Sequence, residues 1–356
     1  MGEVFIQGLS KDYSEKEFIE SVEKILIKSS NNLKWLKKGD KVLLKPALNS
    51  NNEYPSTTDP LLLKAVSSIL KKRGAKIIIA DQSGIEHVVH TKGGVIKGSS
   101  EKCYEKSCMK QTDDEFIALE KTGWDKGFFN YSKNADSWSN GFYISSLINK
   151  VDHIINLPRI STHVQAGASL GFKNLVGLLR EDSRVEFHNK GPFGFVINYF
   201  GKRRGIIKPN PKGMFFEKIT EVSLAVKKKL RLTFFSGTKV QTTFGPDKCI
   251  VPIIGKAHKV IPNIGLIFAS EDQVSAEAFA LSYLTYLYKT HTPLTKKLLF
   301  KFAIALNGKI KELHKQNIWD NQVIKHALKI KLGTRNINLN YENTPLDLQE
   351  EIKKLL

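Results

Sequence analysis

Three short apolar runs in the first half of the chain each end in polar residues. They are Lys41-Val-Leu-Leu-Lys45-Pro46, Lys76-Ile-Ile-Ile-Ala-Asp81 and Val151-Asp-His-Ile-Ile-Asn156-Leu-Pro158. Runs of this length and composition predict buried strands over residues 41–45, 76–80 and 151–157. Because the carboxyl ends of parallel strands meet at one edge of a sheet, the polar residues that follow them are expected to share one site.

Helical patterns separate these runs. Ser14 followed by Glu17 is a capping-box pattern that predicts a helix to about Lys28, and Asp59-Pro60 predicts a second helix that stops at Gly74. Strand, helix and strand with short connections predict a right-handed parallel unit. The remaining pattern predicts an edge strand at 2–10, helices near 113–121, 215–230 and 274–288, and strands at 231–235 and 264–269.

Together these elements predict an α/β fold with two lobes, whose largely parallel sheets are flanked by helices. The site is expected at the carboxyl ends of the strands, between the lobes. The predicted N-terminal lobe covers residues 1–140, and a second lobe over 141–290 carries the histidine and Lys-Asn motifs. A basic helical extension is predicted over 291–356, and a chain of 356 residues is long enough for this division.

The net charge of +20 is unusual for a chain of otherwise ordinary composition. Lysine and arginine concentrate at 202–204, 227–229, 256–259 and from Lys296 onward. Such a field would attract nucleic acid, an anionic membrane surface or an anionic small-molecule substrate. A generally lysine-rich composition explains the charge equally well, since no nucleic-acid-binding motif accompanies it. The sequence gives no oligomeric state.

Targeting and cysteine patterns favour the cytoplasm. The chain shows no signal peptide and no apolar run of membrane-spanning length. Its three cysteines, Cys103, Cys108 and Cys249, include no Cys-x-x-Cys pair, so we expect no iron–sulfur cluster and free thiols.

Side chains suited to an anionic substrate follow the predicted strands. Lys45, Lys173 and Arg180 would supply positive charge. Hydroxyl and amide groups would orient the substrate, and their candidates are Asn49, Thr57, Thr58, Ser83 and Asn174. A solvated strand end for Lys45, and helix capping by Thr58 or Asp59, are the structural alternatives.

His163 and His188 bracket a glycine-rich turn, and Asp81 ends a predicted strand. Histidine titrates near neutral pH, so the two side chains could move protons on opposite faces of a substrate carbon, with Asp81 as a third catalytic candidate. A divalent metal held by His163, His188 and Asp272 is an alternative, although no closely spaced ligand motif supports it. Structural histidines are the other alternative.

These residues together give the chain a family resemblance. Over roughly residues 36–335 it resembles the domain-of-unknown-function 362 family. The matching residues are Lys45-Pro46 with Asn49, Thr57-Thr58-Asp59-Pro60, Arg73-Gly74-Ala75, Asp81 with Ser83-Gly84, Asn156-Leu-Pro158, Thr162-His163, Lys173-Asn174-Leu-Val-Gly177, Arg180 or Arg184, His188, and residues 269–278.

The chain departs from the family pattern at three points. Two residues separate Pro46 from Asn49, where the family usually has Lys-Pro-Asn, and Glu277 stands where Asp is usual. The ferredoxin-like cysteine cluster of many members is absent. The first threonine-containing loop and the His…Gly…Lys arrangement also look remotely like the nickel-pincer lactate racemase family, whose cofactor is not carried over.

By analogy, these resemblances imply an enzyme that performs acid–base chemistry, such as a racemase or epimerase, on a small or sugar-linked anionic substrate. The rival hypothesis is a protein without turnover that binds nucleic acid or an anionic membrane through its basic surface. Salt-sensitive binding would distinguish the second from the first.

Overall fold

The computed structural model describes residues 1–188, 214–248, 256–305 and 317–356. Within these ranges one large sheet contains eight strands: β1 (Gly2–Ser10), β2 (Lys41–Pro46), β3 (Lys76–Asp81), β6 (Glu115–Ala118), β9 (His153–Leu157), β12 (Leu230–Gly237), β15 (Ile264–Ser270) and β16 (Ile337–Glu342). Their order across the sheet is β16-β1-β15-β12-β9-β2-β3-β6.

Three smaller sheets and eleven helices complete the described part of the chain. The smaller sheets pair β4 (Val89–Thr91) with β5 (Gly94–Lys97), pair β7 (Phe128–Tyr131) with β8 (Phe142–Ser145), and join β10 (Ser161–His163), β11 (Gly167–Ser169), β13 (Val240–Gln241) and β14 (Lys259–Val260). The helices are α1 (Glu15–Ser29), α2 (Pro60–Lys72), α3 (Ser100–Lys106), α4 (Leu147–Lys150), α5 (Gly171–Asn174), α6 (Glu181–His188), α7 (Phe215–Val226), α8 (Gln273–His291), α9 (Leu294–Ala305), α10 (Gln322–Lys329) and α11 (Leu346–Lys353).

The three strands predicted from apolar runs lie side by side. β2 is parallel to both β3 and β9, with Leu44 opposite Ile79 and Lys45 opposite Asn156. β2 is buried from Val42 onward, because helices cover both faces of the sheet. The polar residues that end these strands are therefore brought to the same edge.

Two hydrophobic cores lie against the sheet. Helices α1 and α2 pack Phe18 and Val66 into a core that includes Leu44 of β2. A larger core contains Ile154 of β9 and Phe279 of α8. This layering of helix on sheet fixes the position of each strand end.

The order of the remaining strands makes the sheet mixed. β15 is antiparallel to β1 and β12, and β16 is parallel to β1. The predicted edge strand at 2–10 is therefore paired on both sides, which corrects that prediction. The edge is formed instead by residues 337–342, within the extension that was predicted to be helical.

The predicted helix near 113–121 is wrong. Residues Glu115–Ala118 form β6, which pairs in parallel with β3, and a 3₁₀ turn follows over Leu119–Lys121. The ring of Phe116 stacks on Tyr104 with centroids 4.2 Å apart. Pairing with β3 and this aromatic contact stabilise the extended form, and tertiary contacts of this kind override weak local preferences.

The α/β class and the largely parallel character of the main sheet are confirmed. That sheet takes strands from both sides of residue 140, so the strand order shows no break at the predicted boundary; the division into lobes stays a prediction. No helix in the described ranges combines the length and hydropathy that a bilayer crossing requires.

Candidate functional site

A cavity of about 140 Å³ lies at the carboxyl ends of β2, β3 and β9, and we call it the strand-end cavity. Its polar and charged wall residues are Asn49, Asp81, Gln82, Glu86, His87, Arg159, His163, Gln165, Ser169, Lys173, Asn174, Arg184, His188 and Asp247. Loops after the three strands supply several of them, as expected for a site in an α/β sheet.

A buried ion pair forms the floor beneath this wall. Lys45 Nζ lies 2.9 Å from Asp81 Oδ1 and donates a hydrogen bond of 2.7 Å to the carbonyl of Pro46. Asp81 Oδ2 accepts a hydrogen bond of 2.8 Å from the backbone N–H of Leu48. A Cβ on Gly177 would lie 2.0 Å from Asp81 Oδ1, so the absent side chain is what lets this turn approach the pair. Burial lowers the pKa of Lys45, and Asp81 opposes that shift.

Two asparagines connect the ion pair to the next strand. Asn174 Nδ2 donates to the carbonyl of Lys45 at 3.0 Å and to Asn156 Oδ1 at 2.7 Å. Asn156 Nδ2 in turn donates to the carbonyl of Gly171 at 2.9 Å. This network fixes the short helix α5 against the ends of β2 and β9, because buried amides with all partners present are rigid.

The hydrogen bonds of the two histidines select complementary tautomers. His163 Nδ1 accepts from the backbone N–H groups of Gln165 and Ala166 at 3.0 and 3.2 Å, so neutral His163 carries its proton on Nε2. His188 Nδ1 lies 2.6 Å from the carbonyl of Arg184 and must donate to it, which makes Nε2 of neutral His188 an acceptor. At Nε2, neutral His163 can therefore donate a hydrogen bond, whereas neutral His188 can accept a proton.

Burial and neighbouring positive charge keep His163 neutral. Burial lowers its pKa well below the usual value, and the charges of Lys173, Arg159 and His188 lower it further. A neutral imidazole with a fixed Nε2–H is suited to polarise a substrate oxygen rather than to exchange its proton at each turnover.

Lys173 is the titratable amine of the cavity wall. Burial, with the charges of Arg159 and Arg184, lowers its pKa from 10.5 to about 7. Across the described ranges, no hydrogen bond or ion pair engages its Nζ. An amine with this pKa is present as both ammonium and free base near neutral pH, which is what general acid–base catalysis requires.

Arg159 contributes a fixed positive charge. Its Nη1 donates to the carbonyls of Ser56 and Pro246, the latter at 2.8 Å, and Nη2 lies 3.4 Å from Ser169 Oγ. Among the described residues, its buried Nε has no hydrogen-bond partner. Burial lowers the pKa of Arg159 to about 10, so the side chain remains a cation at neutral pH.

Asp247, Asn49 and His87 form a second polar group in the cavity wall. Asp247 Oδ1 accepts a hydrogen bond of 2.5 Å from Asn49 Nδ2, and Asp247 Oδ2 lies 2.8 Å from His87 Nε2. Burial opposes ionisation of both partners, but their mutual attraction outweighs it. The net effect raises the pKa of His87 and lowers that of Asp247. This contact connects the loop after β3 to the loop after β13.

Glu277 holds the helix that carries Lys173. Glu277 Oε2 accepts a hydrogen bond of 3.1 Å from the backbone N–H of Phe172. Burial raises the pKa of this carboxyl to about 8, although hydrogen bonds from the Phe172 and Gly171 backbone oppose the shift. Glu277 thus positions α5 from the first turns of α8 without lining the cavity.

A family model matches the part of the chain that forms this cavity. The family model described as "Domain of unknown function (DUF362)" matches residues 42–282, about two thirds of the chain. The chain belongs to the DUF362 family. The resemblance predicted from the residues is therefore confirmed. The matched range contains every residue of the strand-end cavity named above.

One curated relative matches part of this DUF362 chain. It is the thylakoid-associated protein sll1697 of Synechocystis sp. (strain PCC 6803), 25% identical over 195 residues. The match covers 54% of this chain and 55% of the relative, so the chain spans about half the length of the curated relative it matches.

Most of the predicted site residues lie at the cavity. Asp81, Asn49, His163, Lys173, Asn174 and His188 line it, and Lys45 lies directly behind Asp81. Residues separated by more than a hundred positions are brought together here. Their roles in catalysis or substrate binding remain predictions.

Three predicted substrate-binding residues have structural contacts instead. Thr58 Oγ1 donates to the carbonyl of Leu157 and accepts from the N–H of Ala47 at 2.6 Å, so it joins the ends of β2 and β9. Thr57 Oγ1 donates to the carbonyl of Asn52 at 3.0 Å, within its own loop. Ser83 contributes its backbone, whose carbonyl accepts from Arg184 at 2.7 Å. None of the three lines the cavity.

Arg180 does not line the strand-end cavity, so its position does not support the predicted role as an anion clamp there. Its guanidinium forms a bidentate pair with Asp182, at 3.0 and 2.8 Å. It also lies 3.4 Å above the ring of Tyr143 and 4.5 Å from that of Trp124. Arg184, four residues later on α6, is the arginine that lines the cavity.

The predicted metal set is not assembled. Asp272 caps α8, accepting from the N–H of Ser275 at 2.7 Å and from that of Thr334 at 3.0 Å. It does not line the cavity with His163 and His188. No group of three or more potential metal ligands occurs in the described ranges.

Several wall residues were missed by the sequence prediction. Arg159 directly follows Pro158 and Gln82 directly follows Asp81, so a signal for both existed in their position after a strand end. Within the part of the chain that the structure describes, the side-chain amide oxygen and nitrogen of buried Gln82 both lack hydrogen-bond partners. His87 and Asp247 lie 160 positions apart, and nothing in the local pattern indicates their contact.

Proposed function

We propose that the strand-end cavity binds a small carboxylate and moves a proton at the carbon next to it, as in a racemase or epimerase. The main support is Lys173, an amine that titrates near neutral pH within a cavity wall and lacks a partner among the described side chains. Burying an amine that has no hydrogen-bond or ion-pair partner costs free energy, so a purely structural role does not explain Lys173 at this position.

The charges of the wall favour an anionic guest. Arg159 is a cation, Lys173 is partly one, and Asp81 is already neutralised by Lys45. A substrate carboxylate near Arg159 Nε would satisfy that buried donor and gain a charge-assisted hydrogen bond.

The two histidines and the lysine divide the proton-transfer roles. Lys173 in its free-base form, or Nε2 of His188, removes the proton from the substrate carbon, and the other group in its protonated form returns one to the opposite face. The electron pair left on carbon delocalises into the carboxylate. His163, neutral and donating from Nε2, stabilises the oxyanion that forms. This assignment differs from the sequence hypothesis, in which His163 itself carried the proton.

Exchange with solvent tests the reaction class. The purified protein is incubated in D₂O with single enantiomers of 2-hydroxy, 2-amino and sugar-linked carboxylates, and mass spectrometry and chiral chromatography follow each compound. We expect one class to gain a deuteron at the carbon next to the carboxylate as it loses optical purity. Inversion without deuterium uptake would contradict the proton-transfer route.

Arg159→Gln should weaken substrate binding more than it slows turnover. Gln keeps a polar side chain but removes the cation that attracts the carboxylate, and loss of one such hydrogen-bonded charge costs about 2 kcal/mol, or roughly thirtyfold. The expected result is a KM raised about thirtyfold with kcat changed less than about threefold. A fall in kcat at unchanged KM would instead place Arg159 in the chemical step.

The alternative of a nucleic-acid-binding protein gains no support from the described residues. The basic cluster at 202–204 lies outside them. Lys229, in the cluster at 227–229, donates to the carbonyls of Ile148, Asn149 and Val151, so this side chain stabilises the fold.

We propose the cytoplasm as the location of this chemistry. The relative from Synechocystis is named for an association with thylakoids. A peripheral contact between a cytoplasmic enzyme and a membrane surface would be compatible with that name.

A further inference from the structure

Helix α9 (Leu294–Ala305) presents an apolar face to solvent. Leu294, Leu298 and Phe302 recur every four residues and are 70%, 56% and 65% exposed, and Leu299 beside them is 45% exposed. The opposite side of the helix packs Phe300 and Ile304 into a small core. Four of the ten large hydrophobic residues that are exposed in the described ranges thus lie on one helix of 12 residues.

Positive charge borders this face. At 3.6 residues per turn, Lys297 and Lys301 follow one edge of the apolar stripe and Lys296 lies beyond the other. Lys296 and Lys297 donate to the carbonyls of Lys256 and Lys289, at 3.2 and 2.6 Å, so their charges are not neutralised by these contacts. The sequence contains no acidic residue between Glu277 and Glu312.

We propose that α9 attaches the protein to an anionic lipid bilayer, lying in the plane of the interface with Leu294, Leu298, Leu299 and Phe302 among the acyl chains. This inference is independent of the proposed catalytic activity, because none of these residues lines the strand-end cavity.

A bilayer fits this surface better than the alternatives. An interfacial helix needs one apolar face and a lysine-rich border, so that the lysines reach anionic headgroups as the face is buried. Nucleic acid would use the lysines but leave four large apolar side chains in water. A second copy of the chain would bring the lysine borders of two helices together at a local net positive charge, which opposes association.

Vesicle sedimentation tests the proposal with the full chain. The protein should co-sediment with vesicles of phosphatidylglycerol mixed with phosphatidylcholine and bind vesicles of phosphatidylcholine alone much more weakly. Leu298→Ser with Phe302→Ser should reduce binding to the mixed vesicles more than tenfold, because two apolar anchors are lost. Lys296→Gln with Lys301→Gln should reduce it about tenfold, and only when anionic lipid is present.

The control places the same change elsewhere on the surface. Ile261 and Leu346 are 58% and 75% exposed and lie outside α9, so Ile261→Ser with Leu346→Ser should leave vesicle binding unchanged. Circular dichroism and thermal unfolding verify that each variant is folded. Equal binding by the α9 and control variants would overturn the proposal. Failure of the wild-type protein to bind the mixed vesicles would also overturn it. In that case, a wild-type dimer on size exclusion that becomes a monomer only in the α9 variant would show that the face binds a second copy of the chain.

Discussion

Replacing Lys173 by methionine is expected to slow turnover strongly and at the same time to stabilise the protein. Methionine fills a similar volume but cannot accept or return a proton. If Lys173 is one of the two proton carriers, kcat should fall by about a hundredfold to ten-thousandfold. The measurement is the rate of deuterium uptake and of inversion on the substrate class that the solvent-exchange experiment identifies.

The gain in stability follows from the pKa of Lys173. The unfolded chain binds a proton on this amine with a pKa near 10.5, whereas the folded protein binds it with a pKa of about 7. Unfolding is therefore favoured by proton uptake below pH 10.5, and the whole penalty is present below pH 7. At neutral pH the difference between these two pKa values corresponds to at most about 4 kcal/mol. Urea unfolding of Lys173→Met and wild type should show a larger gap near pH 6 than near pH 9.

Two control variants separate the possible roles of Lys173. Lys173→Arg keeps a permanent cation, so it should retain substrate binding but lose turnover. If Lys173 acts only as an anion clamp, Lys173→Arg will instead keep most of its activity. Lys150, exposed at the end of α4, is the matched surface site, and Lys150→Met should change the free energy of unfolding by less than about 0.5 kcal/mol.

Strand periodicity made the meeting of Lys45 and Asp81 predictable. Each residue ends or nearly ends an apolar run, and parallel strands on neighbouring positions must bring such ends together. Helical spacing could also have distinguished Arg184, which lines the cavity, from Arg180, which does not. Arg184 and His188 are four residues apart and share a face of α6, whereas Arg180 lies just before the helix begins.

The remaining features depend on contacts that no local pattern encodes. The pairing of β16 with β1 joins the two ends of the chain, and the bond between His87 and Asp247 crosses 160 positions. The low pKa of Lys173 also depends on three-dimensional packing, because it arises from burial beside Arg159 and Arg184. Sequence reasoning therefore found the edge of the sheet that holds the cavity but treated Lys173 only as a source of positive charge.

Lys45→Met should strongly destabilise the fold. Asp81, whose side chain is only 3% exposed, would lose the ammonium group 2.9 Å away and remain as a buried charge without its cation. Removing one partner of a buried ion pair typically costs about 3–5 kcal/mol, a large part of the stability of an ordinary domain. Urea unfolding at neutral pH measures the change in the free energy of unfolding.

A double-mutant cycle shows whether that loss comes from the stranded charge. Asp81→Asn removes the charge and keeps a carbonyl oxygen for the N–H of Leu48, so Lys45→Met with Asp81→Asn should be more stable than Lys45→Met alone. The exposed pair of Lys64 and Glu15, 2.7 Å apart, is the matched control, and Lys64→Met should cost less than about 1 kcal/mol. Burial is what distinguishes the two ion pairs. If Lys45→Met and Lys64→Met lower the free energy of unfolding equally, burial of the Lys45–Asp81 pair therefore adds nothing to its contribution to stability.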